Sequence, residues 1–154
     1  MRRPTLIVLV LIAAACGRTI VDVTKPSARV TFSSSSDSPA SLNVSVAETP
    51  EQRQQGLSGV KNLPADFGMA FTYAAPTVDE FWMKDTLIPL SVAFVRADGT
   101  IVAILEMAPC TADPCRTYAS PEPYTMAIET GPDWLRANHI VVGASASLEQ
   151  VPTT

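Results

Sequence analysis

The chain is short of the residues that build metal sites and nucleophilic centres. Its 154 residues include a single His and three Cys. A structural zinc ion usually takes four Cys or His ligands, so we expect no zinc site. A Ser or Cys nucleophile needs a neighbouring base, yet His139 follows Asn138 at a predicted helix end, where a capping or surface role is expected. The sequence therefore identifies no catalytic residue.

Motifs for nucleotides and other metals are also missing. The chain has no Gly-rich phosphate loop, no His-rich metal motif and no dinucleotide fingerprint. Asp66, Asp79, Glu80 and Asp85 offer oxygen ligands for Ca²⁺, but no loop has the spacing of a known calcium site. We predict a protein without a cofactor.

The composition is that of a folded chain with one domain. Hydrophobic residues make up 47% and charged residues 17%, which is enough for a packed core. The chain has no long helical pattern. It has short segments of alternating polar and apolar residues, and 13 Pro. These features predict an all-β fold, a sandwich or a barrel, with one or two short helices.

The first residues have the pattern of an export signal. Arg2 and Arg3 precede an apolar stretch, residues 5–15, that is 11 residues long and too short to span a bilayer. The small residues before Cys16 resemble a bacterial lipoprotein processing site, which implies cleavage before Cys16 and lipid on its sulfur and amine. Ordinary signal-peptide cleavage that leaves Cys16 free is the alternative. We predict an exported lipoprotein, anchored to a membrane of the bacterial cell envelope.

The charge argues against nucleic acid as a partner. The chain has 11 basic and 15 acidic residues; removal of residues 1–15 removes two Arg and no acid, which leaves nine basic residues and a net charge of −6. A surface of that sign repels phosphate backbones.

Cysteine usage agrees with export. Cys110 and Cys115 lie in "PCTADPCRTY" and can close a small loop. Outside the cytoplasm such a pair is expected to form a disulfide. Half of a metal site is the alternative.

Residues 16–40 are rich in Ser and are predicted to form a flexible tether, followed by a single β domain over residues 41–154 that starts near Leu42. In "TPEQRQQG" a short helix is predicted, with Thr49 as its cap, Pro50 at its first position, Gln52 completing a capping box and Gly56 at its end.

Strands are predicted from period-two alternation. They cover residues 42–46, 68–73, 79–84, 90–97, 100–107, 124–130, 139–144 and, less clearly bounded, "SLEQV". Asp98 and Gly99 separate two apolar runs and predict a hairpin. "GPDWLRAN" predicts one more helical turn, with Pro132 at its start.

The segment "FWMKDTLIPL", residues 81–90, allows two interpretations. In a strand, Phe81 and Met83 face one way while Trp82 and Lys84 face the other. One interpretation buries Phe81 and Met83 and lays the Lys84 stem across Trp82. The other makes Trp82 the wall of a shallow pocket and Lys84 a fixed positive charge, which suits sugars or other small polar ligands.

Four motifs of the chain occur in a specific order. They are "VSVAETPEQRQQGLSG", "LPADFGMAFTY", "FWMKDTLIPLSVAFVRADGTIV" and "YTMAIETG". Together they resemble the DUF192 family, also called COG1430, from about Leu42 to Gly143. The resemblance implies a compact, jelly-roll-like β fold, and many members are exported or membrane-anchored. No biochemical activity is established for the family, so the resemblance implies a fold and a residue cluster but no reaction.

The positions that match the family's signature are Arg53, Gly56, Leu57, Gly68, Met69, Phe71, Phe81, Trp82, Met83, Lys84, Thr86, Pro89 and Glu129. This chain departs from the family at Asp85, where Asn is common, at Ser91, where Asp is common, and at Ala70, where Leu is common. If the usual Asp were catalytic, Ser91 would make this member defective.

The candidate ligand-binding residues are Trp82, Lys84, Asp85, Thr86, Arg53 and Glu129. Arg53 is expected to pair with Glu129, Asp66 or Asp85, either as a clamp between helix and sheet or as a ligand contact. The leading hypothesis is a binding module for a small molecule, a glycan or a protein partner. The alternatives are a hydrolase of envelope polymers that uses Asp85 and Glu129, and a structural accessory protein.

Overall fold

The structure, a computed structural model, describes residues 22, 25–33 and 38–151. Nine strands and two short helices occur in this part of the chain, which confirms the predicted all-β class. In chain order the elements are β1 Ala28–Ser33, β2 Ala40–Ala47, α1 Pro50–Gln55, β3 Phe67–Thr77, β4 Phe81–Trp82, β5 Leu90–Val95, β6 Ile101–Met107, β7 Thr117–Tyr118, β8 Tyr124–Thr130, α2 Trp134–Ala137 and β9 Ser145–Gln150.

Seven of the strands form one curled sheet in the order β6-β5-β8-β3-β2-β1-β9, and β4 pairs with β7 beside it. Neighbours in the large sheet are antiparallel except β2 and β3, which are parallel. A parallel pair needs a crossover connection, and α1 lies within this one.

The sheet curls far enough for its two edges to meet at one corner, which makes it a half-barrel. Thr100, just before β6, forms a bridge with Ser145 of β9. The amide of Ala146 donates to the carbonyl of Gly99 at 2.8 Å, and the amide of Ile101 donates to the carbonyl of Ala144 at 2.8 Å. Part of each edge is thereby paired, which reduces the unpaired backbone that an open sheet exposes.

Hydrophobic side chains pack on both faces of the sheet. Every residue of β5 is buried: Val92 and Phe94 belong to one core cluster, whereas Ala93 and Val95 belong to the other. This is the alternation expected of a strand that is covered on both sides. In the first cluster the ring of Phe81 lies 5.0 Å from that of Phe71 and 5.6 Å from that of Phe94, so Phe81 is a core residue.

The local signals for the first helix and for the hairpin are confirmed. The Thr49 side chain accepts from the amide of Gln52, and the Gln52 side chain accepts from the amide of Thr49, which completes the capping box. Gly56 ends the helix with a φ of +46°. Gly99 has a φ of +84° in the turn between β5 and β6, a conformation that side chains disfavour.

Two of the sequence predictions are wrong. The predicted tether contains β1, which pairs with β2 and β9 and buries Ala28, Val30 and Phe32 completely, so the folded domain begins before Leu42. The predicted strand at residues 139–144 is a loop, in which His139 has a φ of +57° and the amide of Ala144 donates back to the carbonyl of Val141. The strand predicted over residues 79–84 is shorter and comprises only β4.

The predicted signal peptide, the lipidation site Cys16 and the start of the tether lie outside the described residues. Among the helices that the structure describes, none is long and apolar enough to cross a membrane.

Candidate functional site

A cleft of about 400 Å³ opens beside α1, where the start of β4 approaches the first core cluster. Four aromatic residues line it: Phe71, Tyr73, Phe81 and Trp82. The charged residues that line it are Arg53, Asp79, Glu80, Lys84 and Glu129. Thr86, Gln54 and Gln55 add neutral polar groups. A concave site with aromatic walls and a few convergent polar groups has the general character of a small-ligand site.

Glu129 is the buried acid of this cleft. It lies on β8 opposite Met69 of β3 and Val92 of β5, so its side chain is on the face of the sheet that carries the first core cluster. Only 5% of the residue is exposed, and its Oε2 has no hydrogen-bond partner in the described part of the chain. Burial disfavours the charged form and raises the pKa of Glu129 to about 8. At neutral pH the carboxyl is therefore mostly protonated.

The backbone of β8 at Glu129 is held close to β3 by Gly68. A Cβ added at Gly68 would collide with the carbonyl oxygen of Glu129 and with the Leu42 side chain. Gly68 is therefore needed because two backbones approach closely, and this differs from the role of Gly56, where a positive φ is required.

Arg53 connects the helix to the sheet through backbone carbonyls. Its Nη1 donates to the carbonyl of Glu48 at 2.6 Å and to the carbonyl of Thr72 on β3 at 3.0 Å. The guanidinium also stacks on Tyr73, with Cζ 4.6 Å from the ring centroid. The predicted pairing with Glu129 is wrong, because the buried Oε2 has no partner and the pKa of Glu129 is raised by burial with no cation to counter it.

The segment that contains Trp82 combines the two interpretations of its sequence. Phe81 and Met83 are buried in the first core cluster, as the core interpretation predicts. Trp82 is 50% exposed and lines the cleft together with Lys84. The Lys84 ammonium is 3.1 Å from a carboxylate oxygen of Asp113. This segment therefore has one side buried in the first core cluster and another side that lines the cleft.

Thr86 and Asp85 lie in the turn that follows. The amide of Thr86 donates to the carbonyl of Met83 at 3.1 Å, and buried Thr86 lines the cleft. Asp85 has a φ of +58°, and its carbonyl accepts from the amide of Gly59 at 2.9 Å. Asp85 is not among the described residues that line the cleft. Five of the six candidate ligand-binding residues therefore lie around one cleft, and Asp85 lies outside its lining.

Tyr73, Asp79 and Glu80 are among the cleft residues that were not sequence candidates. Tyr73 follows Phe71 and Met69 at the spacing of two that places side chains on one face of a strand, and this was the available signal. Asp79 and Glu80 were considered only as calcium ligands. Their position follows from Tyr124, whose hydroxyl donates to the carbonyl of Asp79 at 2.7 Å, and from the edge-on contact of the Tyr73 and Tyr124 rings at 5.4 Å.

Ser91, which replaces the family's usual Asp, faces away from the cleft. It lies opposite Thr130 on β8, one position from the pair of Val92 with Glu129, so it points to the other face of the sheet. Its hydroxyl donates to Glu106 Oε2 at 2.7 Å. The residue at this position therefore forms a partly buried polar contact between β5 and β6 and does not contribute to the cleft.

Cys110 and Cys115 form the predicted disulfide, with their Cα atoms 5.6 Å apart. The loop that they close contains Asp113, the partner of Lys84. The described residues contain no group of His, Cys, Asp and Glu side chains arranged to hold a metal ion.

Family and structural comparisons agree with the fold. The model of the DUF192 family, described as "Uncharacterized ACR, COG1430", matches residues 31–148. The crystal structure of a candidate transcription regulator from Sinorhizobium meliloti 1021 is 28% identical, with a TM-score of 0.73 over 78% of this chain and 92% of that chain. The crystal structure of a protein of unknown function from Novosphingobium aromaticivorans DSM 12444 is 23% identical, with a TM-score of 0.71 over 77% of this chain and 83% of that chain, which shows the fold alone. No curated protein matches this chain.

Proposed function

This chain belongs to the DUF192 family, and because the family is described only as uncharacterised, we propose a function from the geometry of the cleft. The protein is a binding module that holds a small polar molecule, such as a sugar unit, in the cleft between α1 and β4. The observation that carries this proposal is the Glu129 carboxyl, buried at the cleft with an oxygen that has no partner in the described part of the chain.

The unpartnered oxygen is a reason to expect a ligand. A buried polar group without a hydrogen bond costs about 1–3 kcal/mol, and a molecule that supplies the missing partner recovers part of that free energy on binding. Protonated Glu129 offers both a donor and an acceptor, which suits the hydroxyl groups of a sugar. Thr86, Gln54 and Gln55 supply further polar contacts around it.

Trp82 supplies the apolar part of the site. Half of this residue is exposed, whereas the neighbouring Phe81 and Met83 are buried. The indole therefore forms part of the cleft wall while its neighbours pack in the core. An indole ring gives a broad apolar surface to the face of a sugar ring and keeps a polar N–H for water or ligand.

The proposal is tested by a thermal-shift screen against envelope sugars, peptidoglycan fragments, nucleotides and divalent ions. A ligand present at about a hundred times its dissociation constant stabilises the folded protein by about 2.7 kcal/mol, which is a measurable shift. We expect Trp82→Ala and Glu129→Gln to lose this shift. Leu87→Ala is the matched control, because Leu87 is a neighbouring exposed apolar side chain that does not line the cleft.

Folded variants that keep the full shift would contradict the proposal, as would a screen in which no compound stabilises the wild-type protein. The search would then turn to protein partners. A hydrolase based on Asp85 and Glu129 is not favoured, because Asp85 lies outside the residues that line the cleft. Turnover that Asp85→Asn abolishes, in a variant that still binds the compound, would reverse that preference.

We also propose that the protein is exported and held at a membrane of the cell envelope by lipid on Cys16. The sequence pattern of residues 1–16 supports this, and so does the disulfide between Cys110 and Cys115, because such bonds persist in oxidising compartments. Cys16→Ser should release the protein from membranes on fractionation. Cys110→Ser, which removes a cysteine of the folded domain, should leave it membrane-bound; retention of the Cys16→Ser variant would contradict the proposal.

A further inference from the structure

The charged side chains of the cleft differ in whether they have partners. Both cations are engaged: Lys84 pairs with Asp113, and Arg53 donates to two carbonyls and stacks on Tyr73. The acids are not, because no ion pair joins Asp79, Glu80 or Glu129 to a cation in the described part of the chain. The acidic side chains of the cleft therefore lack an ion-pair partner in the described part of the chain, whereas its cations are engaged.

From this asymmetry we propose that the ligand carries a protonated amino group, which the buried Glu129 carboxylate binds. The inference rests on the proposed function and narrows its ligand class to compact amines, such as an amino sugar. An ammonium group can donate a hydrogen bond to the unpartnered Oε2, and its positive charge compensates the carboxylate. Asp79 and Glu80, which also line the cleft, add attraction of the same sign.

The aromatic lining favours the same chemistry. A cation is attracted to the face of a Trp or Tyr ring, and the attraction grows where water is excluded. Trp82, Tyr73 and Phe81 line the same cleft as Glu129, so a cationic ligand in the cleft also has aromatic rings available to it. A ligand carboxylate in the same cleft would be repelled by Asp79 and Glu80.

Binding of an ammonium group changes the protonation of the cleft. Near pH 6.5 the Glu129 carboxyl is protonated and the ligand amine is charged. When the ion pair forms, the carboxyl proton passes to solvent, so one proton is released for each ligand bound. The other titratable or charged groups that face this cleft are Arg53 from α1, Tyr73 from β3, Asp79 and Glu80 from the segment after β3, and Lys84 from the turn after β4.

Isothermal titration calorimetry of the purified protein near pH 6.5 tests the inference with matched probes. Glucosamine carries an ammonium group where glucose carries a hydroxyl, and N-acetylglucosamine carries a neutral amide. Ethanolamine and ethylene glycol form a second pair without the sugar ring. We expect glucosamine or ethanolamine to bind at least tenfold more tightly than its neutral counterparts.

Proton release separates a pairing role of Glu129 from a purely structural one. Titrations in two buffers of different ionisation enthalpy should show close to one proton released for each amine bound. Glu129→Gln should abolish this release and weaken amine binding at least tenfold. Glu149→Gln is the matched control, because Glu149 is exposed on β9 and does not line the cleft. The wild-type titrations keep the test decisive even if Glu129→Gln does not fold.

Each result has a distinct meaning. Tighter binding of glucosamine with proton release supports the inference for an amino sugar, and tighter binding of ethanolamine alone supports it for a non-sugar amine. Equal or tighter binding of glucose or N-acetylglucosamine overturns the inference and leaves the proposed binding function standing. Binding of no probe, amine or neutral, overturns the inference, and the failure of the wider screen would overturn the binding function as well.

Discussion

The Lys84 ammonium lies 3.1 Å from a carboxylate oxygen of Asp113, so an ion pair joins the cleft to the loop that Cys110 and Cys115 close. The side chains of Lys84 and Asp113 are 41% and 70% exposed, and water therefore screens their attraction. The pair orients Lys84 more than it stabilises the fold.

The first prediction follows from that exposure. Asp113→Asn should change the free energy of unfolding by less than about 1 kcal/mol, because exposed ion pairs contribute little. Urea denaturation of the two proteins at equal pH and low salt measures the difference. A loss of more than about 2 kcal/mol would show that the pair is shielded from water.

The second prediction concerns the disulfide. Its loop spans a sequence separation of 5, so it restricts the unfolded chain only locally, and reduction should lower the free energy of unfolding by about 2 kcal/mol. Denaturation with and without reductant measures this loss. Intact mass verifies the reduction, because the reduced protein gains two hydrogens. Reductant should not affect a double variant with Ser at both cysteine positions. An unchanged mass on reduction would show that the two thiols are free.

The third prediction is a pH dependence that originates at Glu129. The pKa of this buried carboxyl is about 8 in the folded protein, against an ordinary value of 4.5. Between these values the folded protein holds a proton that the unfolded chain has lost, so stability falls as the pH rises through this window. Relative to Glu129→Gln, the wild-type protein should lose roughly 2 kcal/mol of unfolding free energy between pH 5 and pH 7. Urea denaturation across this range measures the free energy of unfolding of both proteins. If the two pH profiles were parallel, the pKa of Glu129 would be the same in the folded and the unfolded protein.

The fourth prediction concerns the close approach of β3 and β8. Gly68→Ala should destabilise the fold by roughly 2 kcal/mol, because the added methyl group meets the Glu129 carbonyl and Leu42, and backbone cannot move aside cheaply. Gly131→Ala is the control, since a Cβ at Gly131 meets no atom within 4 Å. Thermal unfolding of both variants tests the difference. Equal stability would show that the two strands separate easily at this point.

Features that depend on neighbouring residues were predictable from the sequence. Thr49 and Gln52 cap α1 through contacts three residues apart, and Asp98 and Gly99 form the turn between β5 and β6, which follow one another in the sequence. The loop at residues 139–144 misled the prediction because an apolar run has the same composition in a strand and in a turn. There Ile140 is buried, whereas Val141 and Val142 are more than half exposed.

Features that depend on distant pairing were not predictable. Strand β1 was assigned to a tether because Ser-rich residues follow it, although it pairs with β9, more than a hundred residues away, as well as with β2. Arg53 was expected to pair with Glu129, Asp66 or Asp85 because their charges are opposite. Its Nη1 donates to two carbonyls, and the buried Oε2 of Glu129 has no partner in the described part of the chain. The candidate cluster came from motifs, whereas its assembly around one cleft needs the register of β3, β5 and β8.

The pairing of β1 with β9 makes the order of synthesis matter. Ser33 lies opposite Ser145, so β1 leaves the ribosome long before its outer neighbour exists. Until β9 is made, one backbone edge of β1 stays open to other chains, and nascent protein is most prone to aggregate at this stage. The positive charge of Arg29 on β1 opposes such association. Because β1 and β9 are far apart in the sequence, their pairing can form only after nearly the whole chain has been made.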